Sequence, residues 1–340
     1  MKKIVLALTA VLAFSSCKKT PIEPPVFPSE SNVTGHISSD MTWYSDTVYT
    51  MVGKVVVDSG AVLTIQPGTL IKSPDGQGSL STALVISRGA QIMAEGTVDS
   101  PIVFTSVYDT GDNLDETDQG LWGGIIILGY ATTSADFIPA NIEGIPVNED
   151  YGLYGGEDQM DNSGVLRYVS IRYGGTLLGG SNEINGLTLG GVGRNTVIDN
   201  IEVVGNLDDG IEFFGGTVNA TNLLVWAQGD DAFDVDQGWM GTVTNYVAIE
   251  GGNSDHALEL DGGEGITNPS FFLEEGTFIA DDGNVDFHFR DGALGFVSYD
   301  YTVTSATIEA DPGTSVMIDA TIGADLTAFE WTLAHEKGAL

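Results

Sequence analysis

One short pattern of alternating apolar and polar residues recurs between residues 182 and 292. It occupies residues 185–191, 209–215, 231–237, 256–262 and, more loosely, 285–291. Apolar residues at every second position are typical of a strand with one buried face. The first apolar residues of the segments form one column: Leu187, Ile211, Phe233, Leu258 and Phe287. The steps along this column are 24, 22, 25 and 29 residues by subtraction.

A repeat of this length cannot bury its apolar face alone, so it must stack on its neighbours. A second apolar column keeps the same register: Leu189, Phe213, Val235, Leu260 and Phe289. We therefore predict an all-β chain that forms a right-handed parallel β-helix, a solenoid with coils of roughly 22–29 residues.

A second set of strand-like segments lies about half a coil later, and each begins with asparagine. These segments are residues 200–204, 222–226 and 245–249. Their spacing of 22 and 23 residues, by subtraction, matches that of the apolar columns. The match favours a stacked asparagine ladder at a turn over three unrelated turn asparagines.

Composition agrees with an all-β fold and narrows the choice of partners. The 45 glycines, with Asn and Asp, separate short β-branched and aromatic runs. The chain has 12 basic and 48 acidic residues, which give a net charge of −36. Nucleic acid is excluded as an expected partner, because binding it requires a basic surface. Cations and neutral or basic ligands fit this charge, and so does a simple role in solubility or adaptation to salt.

The N-terminal residues have the pattern of an exported, lipid-anchored protein. Residues 1–16 are predicted to be a signal peptide, because their apolar run at 4–14 is too short to cross a bilayer. Cys17, the only cysteine, follows small residues and resembles the modified cysteine of bacterial lipoproteins. The resemblance implies cleavage before Cys17 and lipidation; the alternative is an ordinary secretory signal. Residues 17–34 contain four prolines and are predicted to be an extended tether. We expect an outer-membrane lipoprotein that faces the cell surface or the periplasm.

The remaining residues, 35–340, are predicted to form a single β-helix domain. Residues 131–163 are the longest irregular stretch, and long loops on a rigid solenoid commonly carry function. A C-terminal cap is predicted from about residue 293, with residues 328–331 covering the open end of the coil. Solenoids need such caps, because an uncovered terminal coil is a sheet edge.

Outward-facing residues of the repeats also form columns, and these are unusually acidic. One column contains Thr188, Glu212, Asp234, Glu259 and His288. The next contains Gly190, Phe214, Asp236, Asp261 and Arg290, and a third, upstream, contains Asn185, Asp209, Asp231 and His256. Like charges on adjacent coils, about 4.8 Å apart, repel by about 1 kcal/mol in water and roughly 3–4 kcal/mol at an effective dielectric of about 20.

Three mechanisms can relieve this repulsion: protonation, pairing with His288 or Arg290, or a bound cation. Calcium accepts several carboxylate oxygens in loose geometry, so a Ca²⁺ site is one hypothesis. Its candidate ligands are Glu212, Asp234, Asp236, Glu259 and Asp261. The alternative is that these side chains spread into solvent and salt screens their charges.

The C-terminal end of this face also offers candidate catalytic and ligand-binding residues. The catalytic candidates are Asp234, Glu259, His288 and Arg290. Acid and base groups beside a metal suit a uronate lyase, and paired carboxylates suit a glycosidase. Such pairs also arise by chance in an acidic chain. The candidate ligand-binding residues are Trp239, His256, His288 and Arg290, with Trp239 expected to be exposed in a turn.

Several motifs resemble a family of uncharacterised bacterial outer-membrane β-helix lipoproteins. These motifs are residues 208–216, 173–175, 229–234, 63–69 and 101–106. The similarity covers most of residues 35–340 and implies the fold and the lipid anchor, but no catalytic residues. The architecture is also similar, more distantly, to that of pectate-lyase-like proteins.

The leading functional hypothesis is a non-catalytic envelope module that binds a glycan or a protein partner. It rests on a long rigid face with scattered aromatic residues and no complete catalytic set. One alternative is a calcium-dependent polysaccharide lyase or glycoside hydrolase that uses residues 234–290. Another is a structural envelope scaffold without a small ligand.

Overall fold

The computed structural model describes residues 28–76, 78–176, 184–264, 268–280, 283–301 and 305–340. The predicted signal peptide and Cys17 lie outside these ranges. No helix in the described ranges is long and apolar enough to cross a membrane. The first strand begins at Ser29, so the end of the predicted tether is already part of the solenoid.

Strands make up nearly all of the regular structure. They are β1 Ser29–Ile37, β2 Met41–Trp43, β3 Thr47–Val57, β4 Val62–Ile65, β5 Leu70–Ser73, β6 Ala83–Ile86, β7 Gln91–Glu95, β8 Ile102–Ser106, β9 Ile125–Leu128, β10 Ala140–Asn141, β11 Leu153–Tyr154, β12 Gly164–Arg172, β13 Leu187–Gly190, β14 Val197–Val204, β15 Ile211–Phe214, β16 Ala220–Trp226, β17 Phe233–Asp236, β18 Thr242–Glu250, β19 Leu258–Leu260, β20 Phe271–Ala280, β21 Asn284–Phe289, β22 Leu294–Tyr301, β23 Ser305–Ala310 and β24 Ser315–Asp319. Three short 3₁₀ helices, Gly78–Leu80, Asp150–Gly152 and Leu326–Phe329, and one α-helix, α1 Leu333–Lys337, complete the described elements.

Parallel pairing between coils confirms the predicted β-helix. Among the described residues, twenty-two strands form one sheet that winds around the molecule, and β10 and β11 form a separate antiparallel pair. Long strands turn a corner and contribute to two faces; β12, for example, pairs first with β7 and then with β8. The registers thus divide the sheet into three stacks. We call one of them the third stack: the end of β3, then β6, β9, β13, β15, β17, β19, β21 and β23.

Both predicted inward columns are confirmed. Leu187 is in register with Ile211, Phe233 with Leu258, and the second column aligns in the same way. All of these side chains are buried in one continuous core. Burying a side chain of this size contributes about 1.5–3 kcal/mol, so the stacked columns are the main source of stability.

The predicted asparagine ladder lies at a sharp corner of the coil. Asn200, Asn222 and Asn245 all have a positive φ of 56–62°, a conformation that asparagine tolerates better than most residues. The Asn245 amide donates to Asn222 Oδ1 at 2.6 Å, so the ladder is direct there. The amide groups of Asn222 and Asn200 instead donate to Asp199 Oδ1, at 3.2 and 2.7 Å. The aspartate thus replaces one rung of the ladder.

The predicted C-terminal cap is wrong in its start and its position. Coil strands continue through β22 and β24, so the tail begins only after Asp319. The tail lies along the side of the solenoid: Asp325 N donates to Asn245 Oδ1 at 2.6 Å and Ala334 N to Glu202 Oε1 at 2.9 Å. Phe329 and Leu333 pack there on an outward apolar cluster. That cluster includes residues of β14, β16 and β18. The tail packs against it and therefore does not cover the open end.

The irregular segment 131–163 packs against the outer surface of the third stack in its early coils. Outward residues of the early coils are apolar, and Val56, Val85 and Ile126 pack against Ile142 and Tyr154 of this segment. We call residues 131–163 the cover loop. In the later coils the same outward positions are mostly acidic and remain outside this apolar cluster. The third stack therefore has an apolar half, on which the cover loop packs, and an acidic half.

Candidate functional site

The acidic half of the third stack brings together most of the predicted site residues. Glu212 is in register with Asp234, Asp234 with Glu259, and Glu259 with His288. The upstream column is also stacked, because Gly210 N bonds Asp231 O and Ala232 N bonds His256 O, at 2.8 and 2.9 Å. The predicted outward columns are therefore correct. The structure further shows which acidic residues of these columns have a cationic partner.

Three carboxylates form the centre of this surface, and we call Asp209, Glu212 and Asp234 the buried acid cluster. One oxygen from each lies within 4.8 Å of the others. Asp209 and Glu212 are 6% and 5% exposed, and Asp234 Oδ1 is closed off from solvent although the residue is half-buried. The cluster lines a polar pocket of about 390 Å³. The rest of that pocket is lined by Glu143, Asn185, Asp208 and Asp230.

Burial raises the pKa of each carboxyl in the cluster well above its usual range. Neighbouring carboxylates raise the pKa values further, Asp234 being the largest such contribution for both Asp209 and Glu212. No lysine or arginine of the described residues forms an ion pair with the cluster. Protonation or a bound cation is therefore needed to relieve the repulsion.

The Asn185 side chain also lines this pocket and contacts the cluster through its amide nitrogen. The residue is fully buried, and its Nδ2 donates to Glu143 Oε1 at 3.0 Å and to Glu212 Oε2. Two acceptors fix the amide orientation, so Oδ1 points elsewhere and has no hydrogen-bond donor. The potential ligands of the buried acid cluster are all carboxylate oxygens. Such hard oxygens fit Ca²⁺ better than the nitrogen and sulfur preferences of Zn²⁺.

Towards the C-terminus, the acidic residues are neutralised by side chains of the same face. His256 Nδ1 lies 2.8 Å from Asp231 Oδ1, and this hydrogen bond raises the pKa of His256 to about 9. Arg290 contacts Glu259, and its Nε lies 3.5 Å from Asp261 Oδ1. Burial alone would raise the pKa of Glu259, but hydrogen bonds with Asp231 and Arg290 lower it. Asp231, His256 and Glu259 form a second compact group.

The remaining candidates lie at the edge of these groups. His288 is 3.8 Å from Glu259, and its ring centroid is 5.2 Å from that of His256. Burial raises the pKa of Asp236 to about 6 and that of Asp261 to about 7. Neither Asp236 nor Asp261 joins a group of three potential metal ligands within the described ranges.

Trp239 does not form the exposed ligand platform that was predicted. It is fully buried, its ring centroid lies 4.4 Å from that of Phe213, and its indole N–H donates to Val218 O at 3.1 Å. The turn that precedes it has positive φ at Gln237 and Gly238, and the tryptophan lies within the coil. Trp122 and Trp226 are buried as well, so none of these three offers an open ring.

Sequence reasoning missed part of the site. Asp209 and Asn185 belong to the predicted upstream column, and their place one residue before the glycine that opens each strand was the available signal. Glu143 comes from the cover loop, whose irregular sequence has no period to indicate where it packs. The side chain therefore reaches the pocket through tertiary contacts alone.

Comparison with known proteins supports the fold and leaves the chemistry open. No curated protein and no solved structure matches the chain. The family described as the pectate-lyase-like beta helix domain matches residues 35–280. This match covers the described coils from β1 to β20, including the buried acid cluster. The chain therefore belongs to the pectate-lyase-like β-helix domain family.

Proposed function

We propose that this protein is a calcium-dependent glycan-binding module of the cell envelope. Family membership suggests a carbohydrate-related or envelope role. The observation that carries the proposal is the buried acid cluster, with three carboxylate oxygens within 4.8 Å and no cationic partner among the described side chains. Net charge of −36 is compatible with a cation as the first ligand.

Asp209, Glu212 and Asp234 would hold the ion, and the Asn185 amide would keep Glu212 oriented. Bound calcium would supply positive charge and coordination positions for glycan hydroxyl or carboxylate oxygens. The pocket of about 390 Å³ falls in the range of small-ligand sites, and its polar lining suits hydrated sugars. Glu143 closes one side of the pocket, so the cover loop contributes to the ligand surface.

A hydrolase or lyase is a second candidate, and one observation favours it. Asp234 and Glu259 are in register on adjacent strands, yet their surroundings move their pKa values in opposite directions. Burial raises the pKa of Asp234, whereas Arg290 helps to keep Glu259 ionised. A protonated and an ionised carboxyl side by side provide an acid and a base for glycosidic bond cleavage.

Retention on immobilised uronate-containing polysaccharides, with and without the chelator EGTA, tests both functions. We expect the full-length protein to bind in calcium, and EGTA or Glu212→Gln to weaken binding at least tenfold. Glu309→Gln is the matched control, because Glu309 occupies the same column but is exposed. Binding unaffected by EGTA and by Glu212→Gln would exclude the calcium-dependent module. Reaction products lost in Asp234→Asn would instead establish the catalytic alternative.

We also propose that lipidated Cys17 anchors the protein in the outer membrane. The support is the signal-like segment before it and its position as the only cysteine. Membrane fractionation after Cys17→Ser tests the anchor, and the variant is expected in the soluble fraction. A Cys17→Ser protein that still sediments with membranes would reject lipid anchoring without affecting the glycan proposal.

A further inference from the structure

A second polar groove lies at the N-terminal end of the third stack, away from the buried acid cluster. Its cavity of about 440 Å³ is lined by His36, Asp58, Arg88, Tyr130, Asn148 and Tyr151, among others. We call it the tyrosine groove. His36 is the first outward residue of the column that reaches Glu212 five coil steps later. At about 4.8 Å per step the two sites are roughly 24 Å apart.

Arg88 is positioned in this groove by contacts that leave its charge without a carboxylate partner among the described residues. Its guanidinium lies over the Tyr130 ring at 4.7 Å, and Nη1 donates to Gly155 O at 2.7 Å. It forms no ion pair with any carboxylate of the described ranges, although the chain has 48 acidic residues. The remaining guanidinium N–H groups are thus fixed donors, suited to bind pairs of oxygen acceptors.

The acceptors of the groove complement these donors. Asp58 is oriented by His36 Nδ1 at 2.7 Å and by Ser38 Oγ at 2.5 Å. Glu149 and Asp150, from the cover loop, add two further carboxylates. Three carboxylates against one arginine make the groove net negative. An anionic sugar would therefore be repelled, whereas uncharged hydroxyl groups can both donate to the carboxylates and accept from Arg88.

Aromatic rings complete the arrangement. Tyr130 is 38% exposed, and Tyr151 is half-buried with its ring 5.8 Å from that of His36, edge to face. A partly exposed tyrosine presents apolar ring surface beside a polar hydroxyl, which matches the mixed surface of a pyranose. Within the described residues the buried acid cluster has no such exposed ring in its lining. The two sites thus differ in the chemistry that they offer.

We propose that the tyrosine groove binds an uncharged oligosaccharide without calcium. Arg88 and Asp58 recognise neighbouring hydroxyl groups, and Tyr130 and Tyr151 contact the sugar rings. This inference deepens the glycan-binding proposal, on which it rests, by assigning a second subsite and its ligand class. The cover loop lines both sites, with Glu143 at one and residues 148–151 at the other.

Calorimetric titration in EGTA with neutral gluco-, manno-, galacto- and xylo-oligosaccharides tests the groove, with uronate oligosaccharides of equal length as comparison. We expect at least one neutral series to bind and the uronates to bind at least tenfold more weakly. Arg88→Ala and Tyr151→Ala should each weaken neutral binding at least tenfold. Arg194→Ala is the matched control, because Arg194 is an exposed arginine outside the groove and should leave affinity unchanged.

The outcomes separate the two proposals. No neutral binding in EGTA, equal binding of uronates, or unchanged affinity in a folded Tyr151→Ala variant would overturn the groove assignment. Tyr151 belongs to the cover loop, so this variant keeps the test open if Arg88→Ala fails to fold. If the groove proposal is rejected, calcium-dependent retention that is lost in Glu212→Gln would still support the calcium site. Conversely, groove binding without any calcium effect would reject only the calcium-dependent site.

Discussion

Calcium should raise the unfolding temperature of this protein strongly at pH 7.5 and only weakly at pH 4.5. At neutral pH the buried acid cluster must either keep protons or ionise against mutual repulsion, because burial and neighbouring carboxylates raise the pKa values of Asp209, Glu212 and Asp234. Ca²⁺ replaces those protons, so its affinity increases with pH. At a free concentration one hundred times Kd, the expected stabilisation is about 2.7 kcal/mol. Scanning calorimetry at both pH values measures it.

Without calcium, the stability of the protein should fall as pH rises from acidic to neutral. The folded protein binds more protons on the buried acid cluster than the unfolded chain does, because the folded-state pKa values are the higher ones. The contribution of the cluster to stability is then most favourable at acidic pH. It falls as pH rises from about 4, the ordinary carboxyl range, through the raised pKa values. EGTA-treated protein should therefore lose stability between mildly acidic and neutral pH.

Neutralising the cluster should largely remove the stabilisation of the protein by calcium. The double variant Glu212→Gln, Asp234→Asn removes two charges with little change of shape, so at pH 7.5 in EGTA it should be more stable than the wild type. In calcium the order should invert, because the variant lacks two ligands. Glu309→Gln, exposed in the same column, should follow the wild type in both conditions. A double variant with an unchanged calcium response would refute the assigned ligands.

Trp239→Ala should be among the most destabilising single substitutions in the chain. It removes a fully buried indole, its contact with Phe213 at 4.4 Å between ring centroids and its hydrogen bond to Val218 O. Truncations of this kind cost about 3–5 kcal/mol. Urea denaturation followed by circular dichroism measures the loss.

The matched control for this substitution is Tyr44→Ala, which truncates an aromatic residue that is 52% exposed. Its expected cost is below about 1 kcal/mol, in the range of surface substitutions. If Trp239→Ala instead keeps wild-type stability and loses glycan binding, Trp239 acts as a ligand platform and its buried position is irrelevant to function. Equal losses from both variants would likewise contradict the packing argument.

The sequence was sufficient for the features that repeat. Alternation within each segment identified Leu187 and Phe213 as inward and Glu212 and Asp234 as outward, because side-chain direction in a strand alternates regardless of the rest of the fold. The asparagine corner was predictable for a related reason: a turn recurring in each coil places the same residue type at the same spacing. Pairing with Arg290 was likewise among the mechanisms expected from the sequence to relieve repulsion between the stacked carboxylates.

Features that depend on a single long-range contact could not be predicted in this way. Segment 131–163 has no period, so nothing in its sequence shows that Ile142 covers Val85 or that Glu143 reaches the acidic pocket. The C-terminal tail was placed at the wrong surface, because the outward apolar cluster that binds Phe329 lies on strands that otherwise look regular. Trp239 was misplaced because residues in turns lack the alternation that separates inside from outside.

The stacked pairs three residues apart have an evolutionary consequence. Successive coils carry, at the same two positions, Asn185 and Thr188, Asp209 and Glu212, Asp231 and Asp234, then His256 and Glu259. The series passes from neutral to doubly acidic and ends where a histidine replaces an aspartate and closes an ion pair. The core columns do not include these positions. A duplicated coil can therefore acquire or lose a charged pocket through substitutions at these two outward positions while its inward residues preserve the fold.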